Sequence, residues 1–367
     1  MALADVIVIG AGSVGANITY RLAERGARVT LLDAGAPGGG TSMSSFAWLN
    51  AFRKTPRAYY DLNLAGMEEH ASLADELGGG LWQHRDGGLH WASDPTEAAE
   101  LRATAERLEA WGYPVEVITP GAAMELEPDL VIGDDVADVV YTPTEGYVEM
   151  VQLVGALLAA ARRHGATILP DHRVTEVLRT GDRVVGVRTE HGAELRADVV
   201  IDAAGPLADD VARLAGIEIP FDRVPGRLVY TNPVATTLKR PIHAPGGHFR
   251  PDGAGRIVLA HGDHDVAYRD EFSWQPHRSL DVVRPHLRPL AGAHVEAVRV
   301  RERPMPRDQK PMVGPLPGLD GFYVAASHSG VTLGPLWGRV VASEILDNTP
   351  DERLAPFRPA RFLTPAG

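Results

Sequence analysis

The sequence predicts an α/β protein of two domains: a Rossmann-like dinucleotide-binding domain and an antiparallel sheet whose segments interleave with it. Three observations predict it. The first 33 residues hold a strand, a glycine turn, a helix, a second strand and an acid. Short apolar strands ending in small residues recur near residues 200 and 325. From Ala166 the hydrophobic period changes from that of helices to that of short strands, punctuated by Gly and Pro over residues 223–300. A chain of 367 residues, 44% of them hydrophobic, has room for about two domains and a sizeable core.

Residues 6–9 form an apolar run that ends in Gly10-Ala11-Gly12-Ser13-Val14-Gly15. A helical stripe through Val14, Ile18 and Leu22 follows and closes at Gly26, and residues 29–32 read as the next strand, ending in Asp33. The first glycine makes the tight turn, the second lets the backbone approach a pyrophosphate, and the third lets helix and strand pack closely. The helix N-terminus offers free N–H groups and the positive end of its dipole to phosphates. Asp33 comes 18 residues after Gly15, near the spacing of about 20 expected for an acid that holds ribose hydroxyls. The motif alone does not separate NAD from FAD.

A Gly/Pro/Ser loop covers residues 36–45. Helices are expected over 59–77, over 95–111 and after Gly146-Tyr147-Val148, where Val151, Val154, Leu158 and Ala161 share a face. Residues 174–178, 184–188 and 194–197 read as a meander with turns at Thr180-Gly181-Asp182 and Glu190-His191-Gly192. A buried strand follows and ends at Ala203-Ala204-Gly205. Residues 223–300 hold further strand-like pieces at 228–231 and 256–260, and residues 321–326 are the last buried strand. A polar glycine loop is expected over 327–334, with Pro335 starting the final helix.

The formal charge of −12 argues against nucleic acid or an anionic membrane as main partner. No cysteine is present, which excludes disulfides, thiolate chemistry and a cysteine-linked cofactor. Only Lys54, Lys239 and Lys310 are lysine among 36 basic residues. The N-terminus has no basic segment followed by an apolar core, and no run is long enough to span a bilayer, so a cytoplasmic protein is expected.

Five stations in order resemble the D-amino acid oxidase family of FAD-dependent oxidoreductases, the group of glycine oxidase and sarcosine oxidase. They are the N-terminal motif with Asp33, the loop Gly40-Thr41-Ser42 through Ser45, the stretch Gly146-Tyr147-Val148 with its helix and meander, the strand ending Ala203-Ala204-Gly205, and Arg303-Pro304 with Gly314-Pro315 and Ser327-His328-Ser329-Gly330. The resemblance covers nearly the whole chain and implies a two-domain flavoprotein. Its FAD-binding domain would comprise residues 1–80, 148–222 and 300–367, and its substrate domain residues 81–147 and 223–299.

The resemblance also implies FAD, non-covalent because cysteine is missing. Gly10, Gly12, Ser13, Val14 and Gly15 would meet the pyrophosphate, and Asp33 with Ala34 the adenosine ribose. Gly40, Thr41, Ser42 and Ser45 would line the flavin side. Val174 would pair with adenine, Ala204, Gly205 and Leu207 would cover the cofactor, and Gly330, Val331, Thr332 and Leu333 would sit against the pyrimidine end of the ring. A flavin is long and must be buried along its length, which requires several loops of small residues. The chain departs from the family where relatives often carry a second glycine, here Thr332, and where sarcosine oxidases place a substrate-binding lysine, here Gly334-Pro335.

The implied reaction is hydride transfer from the carbon bearing an amine to the flavin, giving an imine, with oxygen or another acceptor taking the electrons. The substrate would be an amino acid or secondary amine. Arg303, before Pro304, matches the family's carboxylate-binding arginine, and a guanidinium can make two parallel bonds to a carboxylate. The competing reading is a surface ion pair in a stretch that also holds Arg299, Arg301 and Arg307. His248 is a candidate to orient substrate or shuttle a proton, against an exposed hairpin histidine. Trp48, Asn50 and Arg53 are candidates for the pocket lining. His261-Gly262-Asp263-His264 suggests no third metal ligand, so no metal is expected. Alternatives are a flavin hydroxylase, for which Gly262-Asp263 lacks the expected following residues, and a non-catalytic flavin-bearing subunit of a larger complex.

Overall fold

The computed structural model describes residues 4–261 and 275–362. Its centre is a six-stranded sheet in the order Met312–Pro315, Phe322–Ala326, Val199–Asp202, Asp5–Ile9, Arg28–Leu32 and Thr167–Leu169. All pairs are parallel except the edge strand Met312–Pro315. Successive side chains of the first strand enter different cores, as the two-residue period requires. Val6 and Val8 pack in a core shared with the helices Ser13–Glu24, Arg57–Glu76, Met150–Arg163 and Gly330–Asp347. Ile7 and Ile9 pack against the meander Val174–Thr180, Arg183–Thr189 and Glu194–Arg196. The chain leaves Asp5–Ile9 towards Arg28–Leu32 on one side and has Val199–Asp202 on the other. This is a topological switch point, where open α/β sheets bind ligands.

The last helix differs from its expected form. It begins at Gly330, five residues before Pro335, which lies inside it. An interior proline leaves the carbonyl four residues earlier without its helical donor. Here that carbonyl belongs to Val331, and His70 Nε2 donates to it at 2.8 Å. A neighbouring helix thus supplies the bond that Pro335 cannot. The helix is also held close on two sides. A Cβ on Gly338 would meet the Asn17 carbonyl oxygen at 2.8 Å, and one on Gly66 would overlap the Thr332 carbonyl.

A second sheet of eight strands runs Val295–Pro306, Phe221–Thr231, Arg256–His261, Gly247–Asp252, Ile242–Ala244, Gly88–His90, Val139–Thr142 and Glu116–Ile118. It is antiparallel except between Ile242–Ala244 and Gly88–His90. One face covers a core of Leu89, Phe249, Leu259, Leu280 and Val283. The strand Val295–Pro306 pairs with Phe221–Thr231 so that Arg303 lies opposite Val224. A small sheet of Trp48–Leu49, Gly146–Val148 and Gln83–His84 lies between the two halves in sequence.

Candidate active site

Two cavities open at the switch point. One, of about 490 Å³, is lined by Gly10, Gly12, Ser13, Val14, Asp33, Gly40, Thr41, Ser42, Ser45, Ala204, Gly205, Leu207, Gly330 and Val331 among others. The second, of about 550 Å³, lies under the eight-stranded sheet. Thr41, Ser45, Pro225, Arg301, Pro304, His328 and Val331 line both, so the two form one continuous trough.

Steric necessity shapes the first cavity. Gly10 has φ +102°, and a Cβ there would lie 2.5 Å from the Ala203 carbonyl oxygen. A Cβ on Gly15 would overlap the Gly10 carbonyl. Asp33 holds the turn from the side, accepting from Ala11 N at 2.7 Å and from Gly35 N at 2.9 Å. Ser13 joins three distant segments: its N–H donates to Ser42 Oγ at 2.9 Å and its hydroxyl donates to the Gly330 carbonyl at 2.8 Å. Thr41 donates to the Glu302 carbonyl at 2.7 Å. Because the last helix starts at Gly330, residues 330–332 present its first turn, with its positive dipole end, beside the trough.

The remaining candidates lie elsewhere. Gly15 is behind the turn, Ala34 is exposed beyond Asp33, and Val174 is buried opposite Thr189 in the meander. Thr332 lines the second cavity, where its hydroxyl donates to the Trp48 carbonyl at 3.2 Å. Leu333 is wholly buried in the core. A turn stripped of Cβ atoms, an acid at its edge and a trough running from them past several small-residue loops together fit an extended dinucleotide with a flavin.

Arg303, His248, Trp48 and Asn50 line the second cavity, whereas Arg53 does not. Arg303 Nη2 donates to the Pro225 carbonyl at 3.2 Å, and a Cβ on Gly226 would touch the Arg303 stem at 3.4 Å. His248 is in the chamber wall and not on an outer hairpin. Its Nδ1 is 2.9 Å from Nδ1 of His243, so one ring donates and the other accepts. His243 stacks on His90 with ring centroids 4.4 Å apart and meets the Trp48 ring at a tilt of 37°, with centroids 4.0 Å apart. Burial holds His243 and His90 well below the usual histidine range, so both are neutral. The side chain of His261 and residues 262–264 lie outside the described residues, which contain no group of side chains able to hold a metal.

Sequence reasoning missed three residues here. Glu145 is fully buried beneath the chamber and accepts from Tyr113 Oη (2.6 Å), Trp48 Nε1 (2.9 Å), Phe52 N (2.9 Å), Thr142 Oγ1 (3.2 Å) and Ala51 N (3.3 Å). Burial pushes its carboxyl up to about 7, against donors that favour the anion. Lys54 lines the chamber and is pulled down to about 8 by loss of water. His243 is the third. A lone Glu in a loop, a lone Lys and a His in a strand carry no spacing signal, and only the rarity of lysine marked Lys54.

A family model described as FAD dependent oxidoreductase matches residues 5–344. Glycine oxidase from Pseudomonas aeruginosa is 30% identical, over 98% of this chain and 99% of that enzyme. Mitochondrial sarcosine dehydrogenase from Mus musculus is 25% identical over 98% of this chain and 41% of its own length. The crystal structure of glycine oxidase from Geobacillus kaustophilus matches with a TM-score of 0.86 at 26% identity, covering 99% of this chain and all of that one. Among the described residues, no helix is long and apolar enough to cross a membrane.

Proposed function

The chain belongs to the family of FAD-dependent oxidoreductases, and we propose that it oxidises the C–N bond of an amino acid or secondary amine bearing a carboxylate, giving the imine. The observation that carries this reading is the single trough, which joins the glycine turn and Asp33 to a chamber lined by Arg303. The residues lining the first cavity would hold FAD without a covalent link, and bound there it would supply the two-electron acceptor, with oxygen or another oxidant as final acceptor. Arg303 binds the substrate carboxylate with its planar fork and so fixes which C–H faces the cofactor.

The substrate enters as an ammonium and must lose a proton before its nitrogen lone pair can assist departure of the hydride. His248 takes that proton, its Nδ1 sharing a hydrogen bond with His243 Nδ1 at 2.9 Å. The stacked His90 ring and the tilted Trp48 ring packed against His243 hold this pair in one orientation. Oxidation removes a hydride from carbon and the proton from nitrogen, leaving a C=N bond that water hydrolyses after release. Anaerobic bleaching of the flavin absorbance by a panel of amines tests the reading. Amines with a carboxylate should bleach it, and bleaching only by carboxylate-free amines overturns the assignment.

A further inference from the structure

Among the described residues, the lining of the chamber is basic, opposite to the charge of the protein. The chain carries 48 acidic against 36 basic residues. Around the second cavity Lys54, Arg227, Arg278, Arg301 and Arg303 are basic, and no acidic residue lines it among the described residues. One carboxylate on the substrate engages one cation. Lys54 is a second cation, in a different wall from the sheet that carries Arg303.

Lys54 is short of a counter-ion. It forms no ion pair with a carboxylate among the described residues, and its ammonium meets only the Tyr59 ring, 5.8 Å from the centroid. Glu145 is the acid whose charge it feels. Five other donors already hold the Glu145 oxygens, and Lys54 is not one of them. With a value near 8, Lys54 is mostly charged at neutral pH despite the loss of water. A buried or half-buried charge needs a partner, and here the space in front of it is the substrate chamber.

We infer that the substrate is a dicarboxylate amine, an α-amino or N-substituted amino acid whose second carboxylate is held by Lys54 while the first is held by Arg303. The inference rests on the reading of the site as an oxidase of carboxylated amines and adds the second anion. It places the protein among reactions that consume acidic amino acids or N-carboxyalkyl amino acids.

Two matched pairs test it in the holoenzyme: iminodiacetate against N-methylglycine, and glutamate against glutamine, each in both stereoisomers where these exist. The readout is the rate of anaerobic flavin bleaching, together with spectral titration of the oxidised flavin by succinate and by acetate. At least one dicarboxylate should be preferred over its partner by roughly ten- to thirty-fold, and succinate should perturb the flavin at lower concentration than acetate. Lys54→Met should collapse that ratio, and Lys54→Arg should retain part of it, with thermal unfolding and FAD content confirming that both variants fold. Equal handling of both members of each pair overturns the inference, as does a Lys54→Met loss that falls equally on both. If neither pair bleaches the flavin and carboxylate-free amines do, the underlying reading of the site fails instead.

Discussion

The two ends of the trough are built from different material. The dinucleotide end is a matter of backbone: Gly10 and Gly15 are required because a Cβ would strike a carbonyl, and Asp33 and Ser42 bind main-chain N–H groups. The chamber end is a matter of side chains: Lys54, the hairpin pair His243 and His248, and Arg303 come from three separate stretches of the chain, and the neighbouring wall at Trp48 and Phe52 is anchored by the buried Glu145. A backbone site depends on local spacing and tolerates little change of shape. A side-chain site depends on tertiary assembly and can be retuned one residue at a time.

That contrast breaks most readily at Glu145. Glu145→Ala leaves Tyr113 Oη, Trp48 Nε1 and Phe52 N without their acceptor, and with about 1–3 kcal/mol for each buried donor left unsatisfied the cost is about 3–5 kcal/mol. Urea unfolding should show a loss of that size, and a change no larger than at a solvent-exposed glutamate would mean that the chamber does not rest on it.

Acid should separate the regions next. Burial lowers His70 from 6.5 to about 4, so folding requires its neutral form. Its contribution is present above 6.5 and lost as pH falls towards 4, a loss of about 3 kcal/mol by linkage. The limb of stability against pH should flatten in His70→Gln, whose amide can still donate to the Val331 carbonyl. An unchanged limb would assign the acid sensitivity to other groups, His90 and His243 first.

Arg303→Ala should lower kcat/KM for carboxylated amines roughly 30-fold, about 2 kcal/mol, while FAD content stays the same. Arg303→Lys should recover part of this, since an ammonium keeps the charge and loses the fork. Equal losses for carboxylate-free amines would make Arg303 structural. Asp33→Ala is expected to have the smallest effect, about 1.5 kcal/mol in FAD affinity, with turnover of the residual holoenzyme preserved. Equilibrium dialysis measures it, and undiminished affinity would remove Asp33 from the site.

The difference between the two ends also explains what could be read in advance. The glycine turn, Asp33, the strand ending at Asp202 and the helices Arg57–Glu76, Pro95–Ala110 and Met150–Arg163 follow from short-range periodicity and steric rules. The start of the last helix does not, because proline ordinarily marks a first turn. The residue that overrides this rule, His70, is 261 positions from the carbonyl it serves. Glu145 was illegible for a similar reason: its donors at Trp48, Phe52, Tyr113 and Thr142 converge only in the folded chain.

The bond from Ser13 to the Gly330 carbonyl spans 317 residues, and it sets a timetable for biosynthesis. At about 5–20 residues per second, the glycine turn leaves the ribosome roughly 15–65 s before the helix that closes over it. For that interval the nascent chain displays a complete dinucleotide fingerprint with no roof. Cofactor capture is therefore a late event, and a chain terminated before residue 330 should keep the fingerprint and emerge colourless.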